Sequence, residues 1–171
     1  MCIRDSVWVI HCETTSGIVN PIADIARVAK TRGKKCMVDA MSSFGALALD
    51  MKDGFDVMVS SSNKCIEGVP GFSYVVVKRD MLVKSKGMSH SVVLDLYEQW
   101  KGLEANGQFR FTPPTHALVA FHQAMKEHHE EGGVAARGAR YRHNAQILIK
   151  GMRDMGFSTL LSDNEAGPII Q

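Results

Sequence analysis

Apolar positions along this chain fall in short continuous runs that alternate with stretches of helical spacing. Val7-Trp8-Val9-Ile10 is the first run and fits a buried strand. Polar His11 to Gly17 then reads as a loop, and Asn20-Pro21 as a helix start. There the asparagine is expected to cap free backbone N–H groups, and proline at the first helical position loses no needed donor. Ile22, Ile25, Ala26 and Ala29 recur at helical spacing, and Gly33 marks the helix end. A second strand is expected over Lys35–Val38, completing the strand–helix–strand crossover of a parallel sheet.

Phe55–Ser60 and Phe72–Val77 read as two more strands, the latter rich in β-branched residues. The chain then turns helical: Val92–Leu103, Pro114–Glu131 with Leu118, Phe121 and Met125 on one face, and a segment after Gly132-Gly133 reaching about Met155. The last carries Tyr141, Ile147, Leu148 and Met152, with Gly156 closing it. Phe157–Leu161 is expected to begin a small strand, and Gly167–Gln171 another. Opening on one buried-looking strand and stopping at the start of another, the chain reads as the central piece of a longer protein.

Composition narrows the class. The 171 residues are 45% hydrophobic and 22% charged, as in a globular domain, and the net charge is only +2. With no basic stripe, neither nucleic acid nor an anionic membrane is expected as main partner. No run approaches the length of a membrane span, and the first residues have no apolar signal core, so a cytoplasmic address is expected. Cys2, Cys12, Cys36 and Cys65 show no zinc-like spacing and read as reduced thiols; Cys65 would be redox-sensitive only if exposed. His122, His128 and His129 lie on a charged helix and are expected on its solvated face, with no metal.

The candidate chemistry centres on Lys64. Residues 59–72 read VSSSNKCIEGVPGF, a lysine between an apolar strand with small hydroxylated residues and a glycine-rich turn. Upstream, Met37-Val38-Asp39-Ala40 ends a strand in a carboxylate. Sites in open parallel sheets gather beyond the carboxyl ends of the strands, so both residues can project into one crevice. Such a pair suits pyridoxal phosphate: an amine to hold the cofactor and move protons, and an acid to keep the ring nitrogen protonated. Spacing alone leaves open a plain strand-end acid and a surface lysine. The loop HCETTSG (11–17) offers hydroxyls to a phenolate or phosphate oxygen, or simply satisfies its own backbone. In FRFTPPT (109–115), Thr112 or Thr115 offers a hydroxyl at a helix start.

HCETTSGIVNPI (11–22), VDAMSSFGA (38–46), SSNKCIEGVPGF (61–72) and FRFTPPTHALVAF (109–121) together resemble the class V, fold-type I pyridoxal-phosphate aminotransferases. The lysine segment and DAMSSFG resemble most the members that use 2-aminoethylphosphonate and pyruvate in phosphonate catabolism. The resemblance implies an α/β fold, a mostly parallel sheet flanked by helices: residues 7–132 as the centre of the cofactor-binding large domain, and 133–171 as a connecting helix and the start of a small C-terminal domain. Residues 1–6 match nothing in the family. It also implies Lys64 as the Schiff-base lysine and Asp39 as the pyridinium partner. Ser16 falls where relatives carry threonine beside the ring, and Asn63 near the cofactor phosphate. Thr112 matches a threonine that reaches the phosphate of the neighbouring subunit, which implies a homodimer with shared sites. The family's phosphate-cradling turn, ring-stacking aromatic and substrate-gripping arginine have no counterpart in these residues. The alternatives are a transaminase of the alanine–glyoxylate or serine–pyruvate type, or a catalytically incomplete domain.

Overall fold

The computed structural model describes residues 5–171; Cys2 and most of the 1–6 leader lie outside the described residues. The elements are β1 (Ser6–Ile10), α1 (Ile22–Thr31), β2 (Lys35–Asp39), a 3-10 turn (Met51–Asp53), β3 (Val57–Ser61), β4 (Ser73–Val77), α2 (Arg79–Lys84), α3 (Leu96–Asn106), α4 (Thr115–Glu131) and α5 (Gly133–Asp154). The strands form one sheet in the order β1-β2-β3-β4. β1, β2 and β3 run parallel, as expected, and β4 returns antiparallel to β3. Ile10 pairs with Asp39 and Asp39 with Val59, so the parallel strands end almost level.

The helical spacing in α1 sets the core. Ile22, Ala26 and Ala29 pack on Cys36, Val38, Ala40, Phe55 and Met58. The two alanines let the helix sit close to the strands, and each fully buried large apolar side chain contributes about 1.5–3 kcal/mol. Asn20 does not cap this helix: Pro21 holds the cap position without a side-chain bond, and the Asn20 amide donates to the Ile10 carbonyl at 2.8 Å. The asparagine therefore fastens the helix entry to the end of β1. Elsewhere Phe72 and Tyr74 pack on Phe121 of α4, with ring centroids 5.3 and 5.5 Å away, and Phe44 meets Tyr74 edge-on at 5.9 Å.

Several expectations are corrected. α3 begins at Leu96 rather than Val92, because the Asp95 carboxylate accepts from Glu98 N and sets the start there. In α4 the buried positions are Ala117, Ala124 and His128, whereas Met125 is exposed. His128 is thus not on a solvated face. It is buried, and its Nε2 lies 2.7 Å from the Gly45 carbonyl. Ile147 and Leu148 of α5 are exposed. Residues 157–161 and 167–171 form no strand; neither finds a partner ladder among the described residues. The second instead crosses the 11–19 loop, through an Ala166–Ile18 bridge and Gly167 N donating to Gly17 O. α2 follows β4 directly and was not expected.

α4 and α5 dock on the turn after β2. Gly138 lies against the Ala46 carbonyl so closely that a Cβ there would stand 2.3 Å from the oxygen. Gly138→Ala is therefore expected to destabilise the fold by about 1–3 kcal/mol, read as a lower denaturation midpoint in urea. An unchanged midpoint would mean α5 is not held against this turn.

Candidate functional site

Three connections leave the carboxyl ends of β1, β2 and β3: residues 11–21, 40–56 and 62–72. Asp39 ends β2, Asn63 and Lys64 follow β3 closely, and Ser16 lies in the middle of the 11–21 connection. Asp39 is half-buried. Its Oδ1 accepts from Met41 N at 2.9 Å, leaving Oδ2 without a protein donor among the described residues.

The sequence hides what ties the three loops together. The Ser42 hydroxyl donates to the Cys12 carbonyl at 2.6 Å, and Ser43 Oγ lies 2.9 Å from His11 Nδ1. Both contacts fasten the turn after Asp39 to the loop after β1. His11 is buried, and burial lowers its pKa against the opposing pull of Asp53, which favours a neutral ring. The Cys65 thiol meets the Ser42 carbonyl at 3.2 Å and so joins the lysine loop to the same turn. The paired serines of DAMSSFG were the available signal; their partners, far away in sequence, were not.

The lysine loop is itself closed, with Gly68 N donating to Ser62 O and Glu67 N to Lys64 O. Glu67 takes a left-handed backbone, φ 62°, which is uncommon for a non-glycine residue. Asn63 is half-buried and Lys64 exposed. The lysines in ion pairs among the described residues are Lys78, Lys84, Lys101 and Lys150; Lys64 is not one of them. An unengaged amine, an adjacent amide and a carboxylate with one open oxygen fit the donor set that pyridoxal phosphate needs.

Ser16 Oγ lies 3.4 Å from Ile18 N, as in a Ser/Thr turn, and borders a cleft of about 380 Å³ with Leu148, Met152, Phe157 and Ile170. Thr112 is not joined to the strand-end loops. It sits exposed in the 107–113 turn, which Arg110 fastens to Gln99 and the Val92 carbonyl.

Residues 4–170 match the family model described as aminotransferase class-V, so the match begins inside the 1–6 leader that was expected to match nothing. The chain belongs to that family. Within the class, it is similar to the 2-aminoethylphosphonate–pyruvate transaminase of Bacillus cytotoxicus, 55% identical over 166 residues, covering 96% of this chain and 46% of the relative. The enzyme of that name from Rhizobium meliloti is 50% identical, covering 96% of this chain and 43% of the relative. The chain thus spans less than half the length of these relatives. Among solved structures, pyridoxamine–pyruvate aminotransferase of Mesorhizobium loti superposes with a TM-score of 0.84 at 28% identity, covering 95% of this chain and 43% of that one. Alanine–glyoxylate aminotransferase of Nostoc sp. gives 0.83 at 21% identity, covering 96% and 44%, a likeness of fold. The class-V aminotransferase fold, a mixed sheet flanked by helices, is the one seen here.

Cysteine placement follows from the same packing. Cys12, Cys36 and Cys65 are free and buried. Burial pushes all three thiols up, Cys65 to about 11, so it is not a redox-sensitive surface thiol. At about pH 8 only roughly one in a thousand Cys65 side chains would be ionised. Alkylation of the folded protein followed by peptide mapping is expected to leave all three unmodified, and denaturant to expose them. Fast labelling of Cys65 without denaturant would show that the lysine loop opens.

Proposed function

We propose that the protein carrying this chain is a pyridoxal-phosphate transaminase that moves the amino group of 2-aminoethylphosphonate to pyruvate. The products are phosphonoacetaldehyde and L-alanine, a step of phosphonate catabolism. The sequence support is 50–55% identity with proteins of that name across 96% of the chain. The structural observation that carries the reading is the Cys65–Ser42 contact, which brings the loop of Lys64 beside the turn that follows Asp39.

In this reading Lys64 holds the cofactor through its amine and Asp39 faces the ring nitrogen. Ser16 supplies a hydroxyl beside the ring, and Asn63 an amide near the phosphate. Thr112, exposed on its own turn, reaches the phosphate of a second subunit, so the working form is a homodimer, in the cytoplasm. No helix among the described residues is long and apolar enough to cross a membrane. When bound, pyridoxal phosphate supplies the electron sink for negative charge at the amino-bearing carbon of the substrate. The Asp39 carboxylate keeps a proton on the ring nitrogen, the state in which that sink is strongest. Lys64 Nζ, once released, takes the proton from the amino-bearing carbon of 2-aminoethylphosphonate. In the return half it delivers a proton to C2 of the pyruvate skeleton, which leaves as L-alanine.

Borohydride reduction of the cofactor-loaded protein, expressed from its native gene, is expected to fix a pyridoxyl group on the peptide containing Lys64. Lys64→Ala should lose both the label and alanine formation; label on another lysine would sink the assignment. Asp39→Asn keeps the shape and removes the charge. Its half-reaction with 2-aminoethylphosphonate should slow at least about 100-fold while cofactor still binds. A half-reaction at the normal rate in stopped-flow absorbance would assign the ring nitrogen to another acid.

A further inference from the structure

One buried arginine has no part in the chemistry above. Arg137, in the second turn of α5, is 2% exposed. Its Nη1 donates to the Cys65 carbonyl at 2.6 Å and lies 3.4 Å from the Glu67 carboxylate, and its Nε donates to Glu131 at the end of α4. One turn on, Arg140 bonds both Glu67 and Glu131, and the Tyr141 hydroxyl donates to Glu67 at 3.1 Å. Hydrogen bonds from Arg140 and then Arg137 hold the Glu131 carboxyl down at about 2, so this carboxylate stays charged through the neutral range. Every contact on the loop side lands on the residue after Lys64 or on Glu67, the residue with the left-handed backbone.

The side chain is buried with Nε and Nη1 on protein acceptors, and it is not offered to a substrate anion. Its bonds instead fix the carbonyl of Cys65, the residue that follows Lys64, and so limit the directions in which the lysine leaves the backbone. Only a bidentate donor can meet the Cys65 carbonyl and the Glu67 and Glu131 carboxylates from one buried point. Resting on the proposed role of Lys64, we propose that Arg137 is a positioning residue: with Glu67 and Glu131 it clamps the lysine loop to α5 and orients the Lys64 amine toward the cofactor aldehyde.

The clamp is tested by the rate at which Lys64 captures pyridoxal phosphate. Nζ adds to the aldehyde carbon with loss of water, and borohydride quenching at timed intervals counts the labelled Lys64 peptide. Arg137→Lys keeps the charge and loses the fork. It is expected to lower the maximal capture rate about tenfold, within the ~100-fold that an ångström-scale misplacement costs. The half-saturating pyridoxal phosphate and the final labelled fraction should stay unchanged. A merely structural loss would lower the labelled fraction, in step with circular dichroism, and leave the rate of the folded molecules alone. Glu67→Gln, at a half-exposed side chain, should slow capture by a smaller factor, and it decides the matter if Arg137→Lys does not fold. Unchanged capture rates in the folded variants would overturn the clamp while leaving the role of Lys64 intact. No label on Lys64 in the unaltered protein would overturn that role and the clamp with it.

Discussion

Backbone carbonyls that leave a sheet lose their ladder partners, and buried ones must be met by another donor at a cost of about 1–3 kcal/mol if they are not. Around this sheet edge side chains do that work. Ser42 meets Cys12, Ser60 meets Ala40, Cys65 meets Ser42, Ser62 meets Val69, His128 meets Gly45, and Arg137 meets Cys65. For His128 the accepting partner requires the ring proton on Nε2. These bonds convert three separate loops into one block, because most donors come from a segment other than that of their acceptor. Apolar packing supports the same loops, through Phe44 and Phe72 on the cluster of Tyr74 and Phe121 and through buried Ile66, while these bonds tie the loops to one another.

Parallel pairing explains why the block lies where it does. β1, β2 and β3 deliver their connections to one edge, and β4, by returning antiparallel, forces the 62–72 connection to begin and end there. A crossover after β3 would have carried the chain away over a face of the sheet. The reversal keeps the lysine loop short and folded on itself, with a left-handed residue at Glu67.

Much of this was legible because it is local. The apolar run Val7–Ile10 predicts its strand but not its place, since β1 lies at the edge of this sheet with Trp8 exposed. The α1 spacing and the strand ending in Asp39 each predict their own element, and Lys64 and Asp39 stand out by their places at strand ends. Local signals also mislead. Asn20 looks like a cap yet bonds Ile10 O, and His128 looks solvated by its charged neighbours yet reaches Gly45 O. In both cases a polar side chain answers a carbonyl distant along the chain, and no spacing rule carries that information. Arg137 is the clearest instance: among the many charged residues of α4 and α5 nothing marks it as the buried one. It sits one residue before Gly138, where α5 closes on the Ala46 carbonyl, and is 2% exposed.

The same packing treats Lys64 and its neighbours differently. Cys65 is held from two sides, its thiol on the Ser42 carbonyl and its own carbonyl on Arg137, while the Lys64 side chain stays exposed and outside the ion pairs. Lysine carries a compact charge on a flexible stem, and its position is only as definite as the backbone it springs from. A group that must both hold a cofactor and then carry a proton between two carbons needs a fixed base and a free tip. A salt bridge to Nζ would fix the tip and keep the amine protonated. Clamping the carbonyl of the next residue steadies the base and leaves the tip free, and the interactions found here fall on that side of the choice.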